Sequence, residues 1–239
     1  MKDKLYIRIT GDDISFAIGK QVEDLQFSVH RLDRRVSFTI NLRRAVEAEP
    51  LTKLERVGVD VIVSGAVIAV PLSDFREEDC EPLYDSCFRP AHKHRVFYDT
   101  LPTANVVLLY ALDDSCCRAI KEKFGKVIYI SEQTARLRRY SMLSATASAK
   151  RIFLHLVHRK LEMSTFEGTR LLMLNTYDTK NADDVCYYTL SVMQALGMSP
   201  AEGTLVLLEG EKMACKQAKK VLEKFVGKIT ELKEDGSKA

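Results

Sequence analysis

The chain has 239 residues, of which 46% are hydrophobic, so it can bury a sizeable core, and this composition excludes global disorder. Its 36 Lys and Arg against 33 Asp and Glu give a net charge of +3, too small to indicate nucleic acid or an anionic membrane as an obligate partner. No apolar run approaches the roughly 20 residues of a membrane span, and the segment MKDKLYIRIT lacks the apolar stretch of a signal peptide. We therefore expect a cytoplasmic protein without membrane insertion.

The first half of the chain alternates strand and helix patterns. Period-two apolar residues predict strands in the runs LYIRIT, ISFAI and LQFSVHRL, before a helical stripe over 38–46 that competes with a strand over 36–40. Two buried strands, VDVIVSG and AVIAVPL, precede an ambiguous polar segment and then a hairpin, VFYDTL and NVVLLYAL. A helix capped by Asp113 or Asp114 and ended by Gly125 follows, then the strand KVIYIS and a helix over 132–149.

The second half repeats this order without residue identity. RIFLHLVH and LEMSTFEG predict a hairpin, TRLLMLNTY a third strand, and TLVLLEG a fourth, with an amphipathic helix after the third and after the fourth. Two lobes, each a mixed sheet flanked by helices, with a cleft between them, explain such a repeat. We place the first lobe at 1–148, with an inserted segment around 73–104, the second lobe at 149–232, and a frayed tail at 233–239.

The stretch at 175–210, NTYDTKNADDVCYYTLSVMQALGMSPAEGTLVLLEG, resembles the most characteristic block of an uncharacterised Bacteroidetes family, a domain of unknown function. AVIAVPLSDF and VVLLYALDD resemble two strands of the same family, so the resemblance covers nearly the whole chain. The positions that fit the block are Asn175, Thr176, Tyr177, Asp184, Tyr187, Tyr188 and Gly210. The resemblance implies an α/β fold of two RNase H-like lobes in an actin-like ATPase arrangement with a central cleft. It implies no activity.

Active members of that fold class begin each lobe with a phosphate-binding hairpin, in which a strand-end Asp handles Mg²⁺ and Gly and hydroxyl residues let backbone N–H groups reach the phosphates. Laid on this sequence, the pattern puts Arg8 and His155 at the two Asp positions. Asp12 and Asp13 would also repel a polyphosphate, since a like-charge pair at about 4 Å costs about 4 kcal/mol at an effective dielectric near 20. Either these two aspartates hold a metal, or they only form the turn.

The candidate site residues are therefore the two hairpin turns and the end of the fourth strand of the second lobe. Gly210, before a helix, would allow a base or ribose to approach the backbone. A strand followed by a Gly and a helix is, however, also a common arrangement in α/β proteins that bind nothing there. The candidate cleft positions are Thr10, Gly11, Asp12, Asp13, His158, Arg159, Lys160, Glu209 and Gly210. None is assigned a catalytic role.

Two other clusters receive structural interpretations. Cys87, His92 and His94 lack a fourth zinc ligand at a recognised spacing, so we predict no metal site there. The arginines at 136, 138 and 139 spread over more than one face of a helix, which favours a solvated surface over an RNA-binding patch.

The sequence favours a non-catalytic actin-like scaffold or adaptor that binds a protein partner and needs no cofactor. The alternative is a nucleotide-dependent switch, an ATPase or phosphotransferase, with ATP and Mg²⁺ as cofactors and atypical ligands such as Asp12 or Asp13. Nucleic acid is not an expected partner, and the oligomeric state stays open.

Overall fold

A computed structural model describes residues 3–20, 25–90, 92–147, 149–157, 159–201 and 204–232. The described residues form two compact units, one within 1–102 and 106–136 and the other within 103–105 and 137–239. The change of unit falls between residues 136 and 137, inside a helix, whereas the sequence analysis places it at 148. The predicted frayed tail lies outside the described residues.

The first unit begins with a hairpin and contains a second, smaller sheet. Its elements in chain order, with the helix in which the unit ends, are β1 (Lys4–Ile9), β2 (Asp13–Gly19), β3 (Ser28–Arg31), α1 (Phe38–Ala48), β4 (Val59–Val63), β5 (Val67–Pro71), α2 (Cys80–Phe88), β6 (His94–Leu101), β7 (Val106–Asp113), α3 (Asp114–Phe124), β8 (Ile128–Ser131) and α4 (Glu132–Ser144).

The main sheet of the first unit has the order β3-β2-β1-β4-β8. β2 is antiparallel to β1 and to β3, while β4 is parallel to β1 and β8 is parallel to β4. Leu5, Ile7 and Ile9 of β1 enter a core that α1 and α3 complete. Because side chains alternate along a strand, Arg8 lies on the opposite face of this sheet.

The segment 38–46 is helical, which settles the alternative left open by its sequence. Ser37 accepts a hydrogen bond from the Ile40 N–H as the N-cap of α1, and such a cap favours helix initiation over strand pairing. Leu42, Ala45 and Val46 are buried on its inner face, so the predicted helical stripe is confirmed.

Between β4 and α3 the chain forms a three-stranded antiparallel sheet in the order β5-β7-β6. Helix α2 contributes Cys80 and Tyr84 to a small core with Val107 and Leu109 of β7. The sequence pattern did not predict α2, because most of its residues are exposed and only these two side chains are buried.

The second unit repeats the topology of the main sheet. Its elements after α4 are β9 (Arg151–Val157), β10 (Lys160–Glu167), β11 (Arg170–Asp178), α5 (Ala182–Ala195), β12 (Leu205–Gly210), α6 (Lys212–Leu222) and β13 (Ile229–Glu231). The sheet order is β11-β10-β9-β12-β13, with the hairpin and third strand antiparallel and the last two strands parallel to β9. Helices α5 and α6 cover one face of the sheet with an apolar core.

The two main sheets thus share the strand order and directions of an RNase H-like fold, so the predicted fold class is confirmed within each unit. The predicted order of hairpin, third strand, helix, strand and helix is present in both units. β13 was not predicted, because a strand of three residues is too short to show a period.

Glu49 joins the end of α1 to the edge strand β3. Its buried carboxylate accepts the Leu51 N–H at 3.1 Å and lies 3.1 Å from Nε2 of His30. Burial alone would raise the pKa of Glu49, but hydrogen bonds from Ser28, His30 and Leu51 outweigh it and lower the pKa. The ionised form is therefore the one that stabilises the fold.

We expect Glu49→Gln to lower the free energy of unfolding by about 1 kcal/mol at neutral pH. The folded-state pKa lies below the unfolded value, so the stabilisation is complete above about pH 4.5 and is lost as the pH falls through the folded-state value. Urea unfolding of both proteins across that range measures the difference. Glu47→Gln on the exposed side of α1 is the control, and a difference that stays constant into the acid range would contradict the prediction.

Candidate functional site

The candidate residues fall at three loops. Thr10, Gly11, Asp12 and Asp13 form or adjoin the β1–β2 turn of the first unit. Arg159 and Lys160 lie at the β9–β10 turn of the second unit, and Glu209 and Gly210 end β12. His158 lies outside the described residues.

The backbone donors of the β1–β2 turn point at a side chain of the turn itself. Oγ1 of Thr10 accepts the N–H of Asp12 at 3.1 Å and that of Asp13 at 3.0 Å, and the Thr10 N–H donates to the Asp13 carbonyl at 3.0 Å. Thr10 stands where the phosphate hairpin has its first Gly. The two N–H groups that such a hairpin would offer to a phosphate are therefore already satisfied by Thr10.

The two aspartates of the turn also have protein partners. Asp12 forms an exposed ion pair with Arg34 at 2.5 Å, and the Asp13 carboxylate accepts the Ser15 hydroxyl at 2.8 Å. Gly11 has no left-handed backbone, and no atom lies within 4 Å of the Cβ position that a side chain would occupy. Nothing in the geometry of this turn therefore requires a glycine.

Arg8 occupies the position of the strand-end Asp. Its guanidinium lies over the Phe27 ring, 4.5 Å from the centroid, and its Nε is buried without a hydrogen-bond partner. A cation stacked on an aromatic face is held by the ring quadrupole. This part of the sheet therefore carries a fixed positive charge.

The corresponding strand of the second unit carries a cross-strand pair. Nδ1 of His155 on β9 lies 3.4 Å from a carboxylate oxygen of Glu162, which is opposite it on β10. His155 therefore faces a carboxylate of its own sheet.

The β9–β10 turn borders two adjoining pockets of ≈ 380 and ≈ 150 Å³, here called the hairpin pocket. Arg159, Thr179 and Lys180 line both parts, and Lys160 lines the smaller one. Arg159 has a φ of 61°, and its carbonyl accepts the N–H of Thr179 at 2.8 Å and its hydroxyl at 3.1 Å. These bonds fix the turn against the loop that precedes α5.

Positive and negative charges balance around the hairpin pocket. Asp178, Asp184 and Glu211 line it together with Arg159, Lys160 and Lys180. The first turn of α5 is capped by Asn181, whose Oδ1 accepts the N–H groups of Asp183 and Asp184 at 3.0 Å each. Asp184 also accepts the Lys180 N–H at 2.7 Å. Asn181 is therefore the N-cap residue of α5, and Asp184 binds the loop that precedes the helix.

Glu209 is buried on the face of the sheet opposite α5 and α6, and it does not line the hairpin pocket. Its carboxylate is bound by the Arg139 guanidinium and by the Tyr140 hydroxyl, the latter at 2.5 Å. The Tyr140 ring stacks on Phe153 of β9 at 4.1 Å. The prediction of a solvated arginine cluster is therefore wrong for Arg139.

The sequence contained one signal for the contact between α4 and this sheet. Leu137, Tyr140, Ser141 and Ser144 are all buried and follow the i, i+3, i+4, i+7 spacing of an apolar helix face. Two of the four are serines, so hydrophobicity alone does not reveal the stripe. The choice of Arg139 as the partner of Glu209 follows only from the fold.

The absence of a side chain at Gly210 allows strands β12 and β9 to pack closely. Its φ is +113°, and a Cβ there would lie 2.2 Å from the Leu156 carbonyl oxygen of β9. The neighbouring Glu211 N–H donates to that same oxygen at 2.8 Å. Close backbone packing therefore accounts for the glycine without a ligand, and its predicted approach to a base stays a prediction.

Within the part of the chain that the structure describes, no three His, Cys, Asp or Glu side chains come together as metal ligands. His94 lies 2.9 Å from Asp85, and all six cysteines are free thiols. No helix among the described ranges has the length and hydropathy needed to cross a bilayer.

Comparison with solved structures identifies the class as the actin-like ATPase fold. A Bacteroides thetaiotaomicron protein with an actin-like ATPase fold and unknown function matches with a TM-score of 0.86 and 22% identity, over 98% of this chain and 92% of that one. PilM in the PilM-PilN type IV pilus biogenesis complex matches with a TM-score of 0.55 and 9% identity, over 98% of this chain and 90% of PilM. The ethanolamine utilization protein EutJ of Carboxydothermus hydrogenoformans matches with a TM-score of 0.51 and 7% identity, over 98% of this chain and 85% of EutJ.

The family itself follows from the sequence. The model of the family described as protein of unknown function (DUF3822) matches residues 1–229, and the chain therefore belongs to this family. The resemblance noted at 175–210 is thereby confirmed. A comparison with curated proteins gives no match.

Proposed function

We propose that the protein is a non-catalytic, actin-like-fold scaffold or adaptor that binds a protein partner. One observation carries the proposal: the strand-end position that should hold a Mg²⁺-handling Asp holds Arg8, fixed over Phe27. A cation at this position repels a metal ion. Phosphoryl transfer depends on metal ions that neutralise the charge of the phosphates.

The second hairpin and the first turn support the same conclusion. His155 faces Glu162, and the turn donors of the first hairpin bind Thr10. Asp12 and Asp13, the atypical Mg²⁺ ligands of the alternative, are engaged by Arg34 and Ser15. These residues therefore do not fit a resident Mg²⁺ ion.

A partner-binding role has precedent in this fold. PilM, whose fold this chain shares, forms a type IV pilus biogenesis complex with PilN. Function resides in sites grafted on a fold, so the comparison names no partner for this chain. It supports the proposal only by showing that proteins of this architecture form complexes with other proteins.

The hairpin pocket favours the second candidate, a nucleotide-dependent switch. Arg159, Lys160 and Lys180 give it three cationic side chains, and the N-terminal ends of α5 and α6 adjoin it. Helix N-termini favour anions. Against this candidate, three carboxylates line the same pocket.

Thermal melting with nucleotides separates the two candidates. A ligand that binds only the folded state adds about 2.7 kcal/mol of stability at a hundredfold excess over Kd. We expect no shift of the melting temperature with millimolar Mg-ATP, Mg-ADP or Mg-GTP, and no release of phosphate. Differential scanning fluorimetry and a phosphate assay measure both.

The opposite outcome is equally specific. A shift with Mg-ATP that disappears in Asp12→Asn/Asp13→Asn or in Lys160→Ala would establish the switch and overturn the scaffold. Glu47→Gln/Glu55→Gln removes two exposed charges elsewhere in the first unit and serves as the matched control.

A further inference from the structure

Helix α6 carries a row of lysines on its exposed side. Lys212, Lys216 and Lys220 are spaced four residues apart, so they lie above one another along about 12 Å of helix. All three are exposed, and within the described ranges none forms an ion pair, whereas Lys219 beside them binds Glu231 at 3.3 Å. We call these three residues the α6 lysine stripe.

An unpaired stripe of like charges weakens its own helix, because like charges at i and i+4 repel. Met213, which is 67% exposed, lies next to the stripe on the same side of α6. Met213 adds accessible apolar surface beside the three charges. The stripe therefore has the composition of a contact surface for an acidic partner with an apolar component.

The first unit carries a surface of the opposite sign. Residues 74–85, here called the acidic segment, contain six carboxylates and one basic residue, Arg76. The acidic residues are Asp74, Glu77, Glu78, Asp79, Glu81 and Asp85, and all are exposed. In the described part of the chain only Asp85 pairs with a basic side chain, that of His94.

The charge of the acidic segment affects its neighbours. Burial raises the pKa of Cys80, and the charges of Glu77, Asp79 and Glu78 raise it further. Exposed apolar groups border the segment, namely Leu83, Phe88 and Tyr98, which are 38%, 40% and 40% exposed. Like the α6 lysine stripe, the acidic segment combines unpaired charge with accessible apolar surface.

We propose that the α6 lysine stripe of one copy docks on the acidic segment of a second copy of this chain. The two surfaces differ, so the contact is heterologous, and each copy keeps one surface of each kind for a further copy. Nucleic acid or anionic lipid would neutralise the stripe but would leave the acidic segment and its apolar border without a partner. A second copy of the chain provides a partner of opposite charge for the α6 lysine stripe and for the acidic segment. This inference does not depend on the proposed adaptor function.

The test uses the chain of 239 residues, freed of nucleic acid by nuclease treatment. We expect sedimentation velocity at about 20 mM salt to show a weight-average mass that rises with protein concentration, and a monomer at about 500 mM salt, because exposed charges are screened there. Lys216→Gln/Lys220→Gln and Glu78→Gln/Glu81→Gln should each weaken self-association at least about fivefold, since each removes two exposed ion pairs.

Mixing the two variants tests the heterologous geometry. Each retains one intact surface, so a 1:1 mixture should form a heterodimer that grows no further, whereas each variant alone should self-associate at least about fivefold more weakly than the wild type. Lys121→Gln/Lys123→Gln on the exposed side of α3 lowers the net charge by two, as Lys216→Gln/Lys220→Gln does, and should leave association unchanged.

Three results would overturn the proposal. The wild type could stay monomeric at about 20 mM salt and at the highest concentration tested. The mixed variants could fail to form a heterodimer. Self-association could also require nucleic acid or anionic vesicles, which would assign the stripe to that ligand instead of a second copy.

Discussion

Gly210→Ala is expected to lower the free energy of unfolding by about 3–5 kcal/mol, because an added methyl group would collide with backbone atoms. The new Cβ would lie 2.2 Å from the Leu156 carbonyl oxygen and 2.9 Å from its nitrogen and carbonyl carbon. These are backbone atoms of the central strand β9, so they cannot move aside as a flexible side chain would. The φ of +113° adds strain for any residue with a Cβ. Urea unfolding measures the loss.

Two other glycines separate the two causes. Gly197 has a φ of +60° but open space at its Cβ position, so Gly197→Ala should cost about 1 kcal/mol from the backbone alone. Gly11→Ala has neither problem and should stay within about 0.5 kcal/mol of the wild type. If Gly210→Ala lowered the free energy of unfolding no more than Gly197→Ala does, the close contact between β12 and β9 would not be the cause of the loss.

Breaking the pair of Arg139 and Glu209 is expected to have the second largest effect. Arg139→Met leaves a buried carboxylate with the Tyr140 hydroxyl but without its cation, and should lower the free energy of unfolding by about 3 kcal/mol. Glu209→Gln should cost less, about 2 kcal/mol, because it removes the ion pair and the charged acceptor of the Tyr140 hydroxyl while the Arg139 guanidinium stays partly exposed to solvent. Tyr140→Phe removes one hydrogen bond to a charged group, worth about 1.5 kcal/mol.

The double variant Arg139→Met/Glu209→Gln decides whether the two residues act as a pair. Its loss should be smaller than the sum of the single losses by at least about 1 kcal/mol, since the second change removes a charge that the first one stranded. Arg138→Met, at the neighbouring exposed position, should fall within about 0.5 kcal/mol of the wild type. Additive losses would mean that the contact in the structure does not stabilise the fold.

Local patterns predicted the elements that bury a regular face. The alternation of Leu5, Ile7 and Ile9 marks β1, because this signal lies within the strand itself. The sequence over 36–46 left helix and strand open, and the Ser37 cap found in the structure explains the helix. Helix α2 was not predicted, because it buries only Cys80 and Tyr84 and therefore shows no apolar period. β13 was not predicted because its three residues are too few to show a period.

The candidate site was less predictable, because its contacts join distant parts of the chain. The Arg139–Glu209 pair spans 70 positions, and no local spacing indicates it. Thr10 is the reverse case: its partners are two and three residues away. The sequence analysis named Thr10 as a candidate cleft position, and only the structure shows that its hydroxyl accepts the backbone donors of the turn.

The β1–β2 turn satisfies its own backbone donors, since the Thr10 hydroxyl accepts the N–H groups that a phosphate hairpin would present to its ligand. Exchanging Arg8 for an acid would supply a metal ligand, but the neighbouring donors would remain occupied by the Thr10 hydroxyl. Removing that hydroxyl alone would expose the donors beside a cation and two aspartates. A phosphate loop at this position would therefore require changes at both residues.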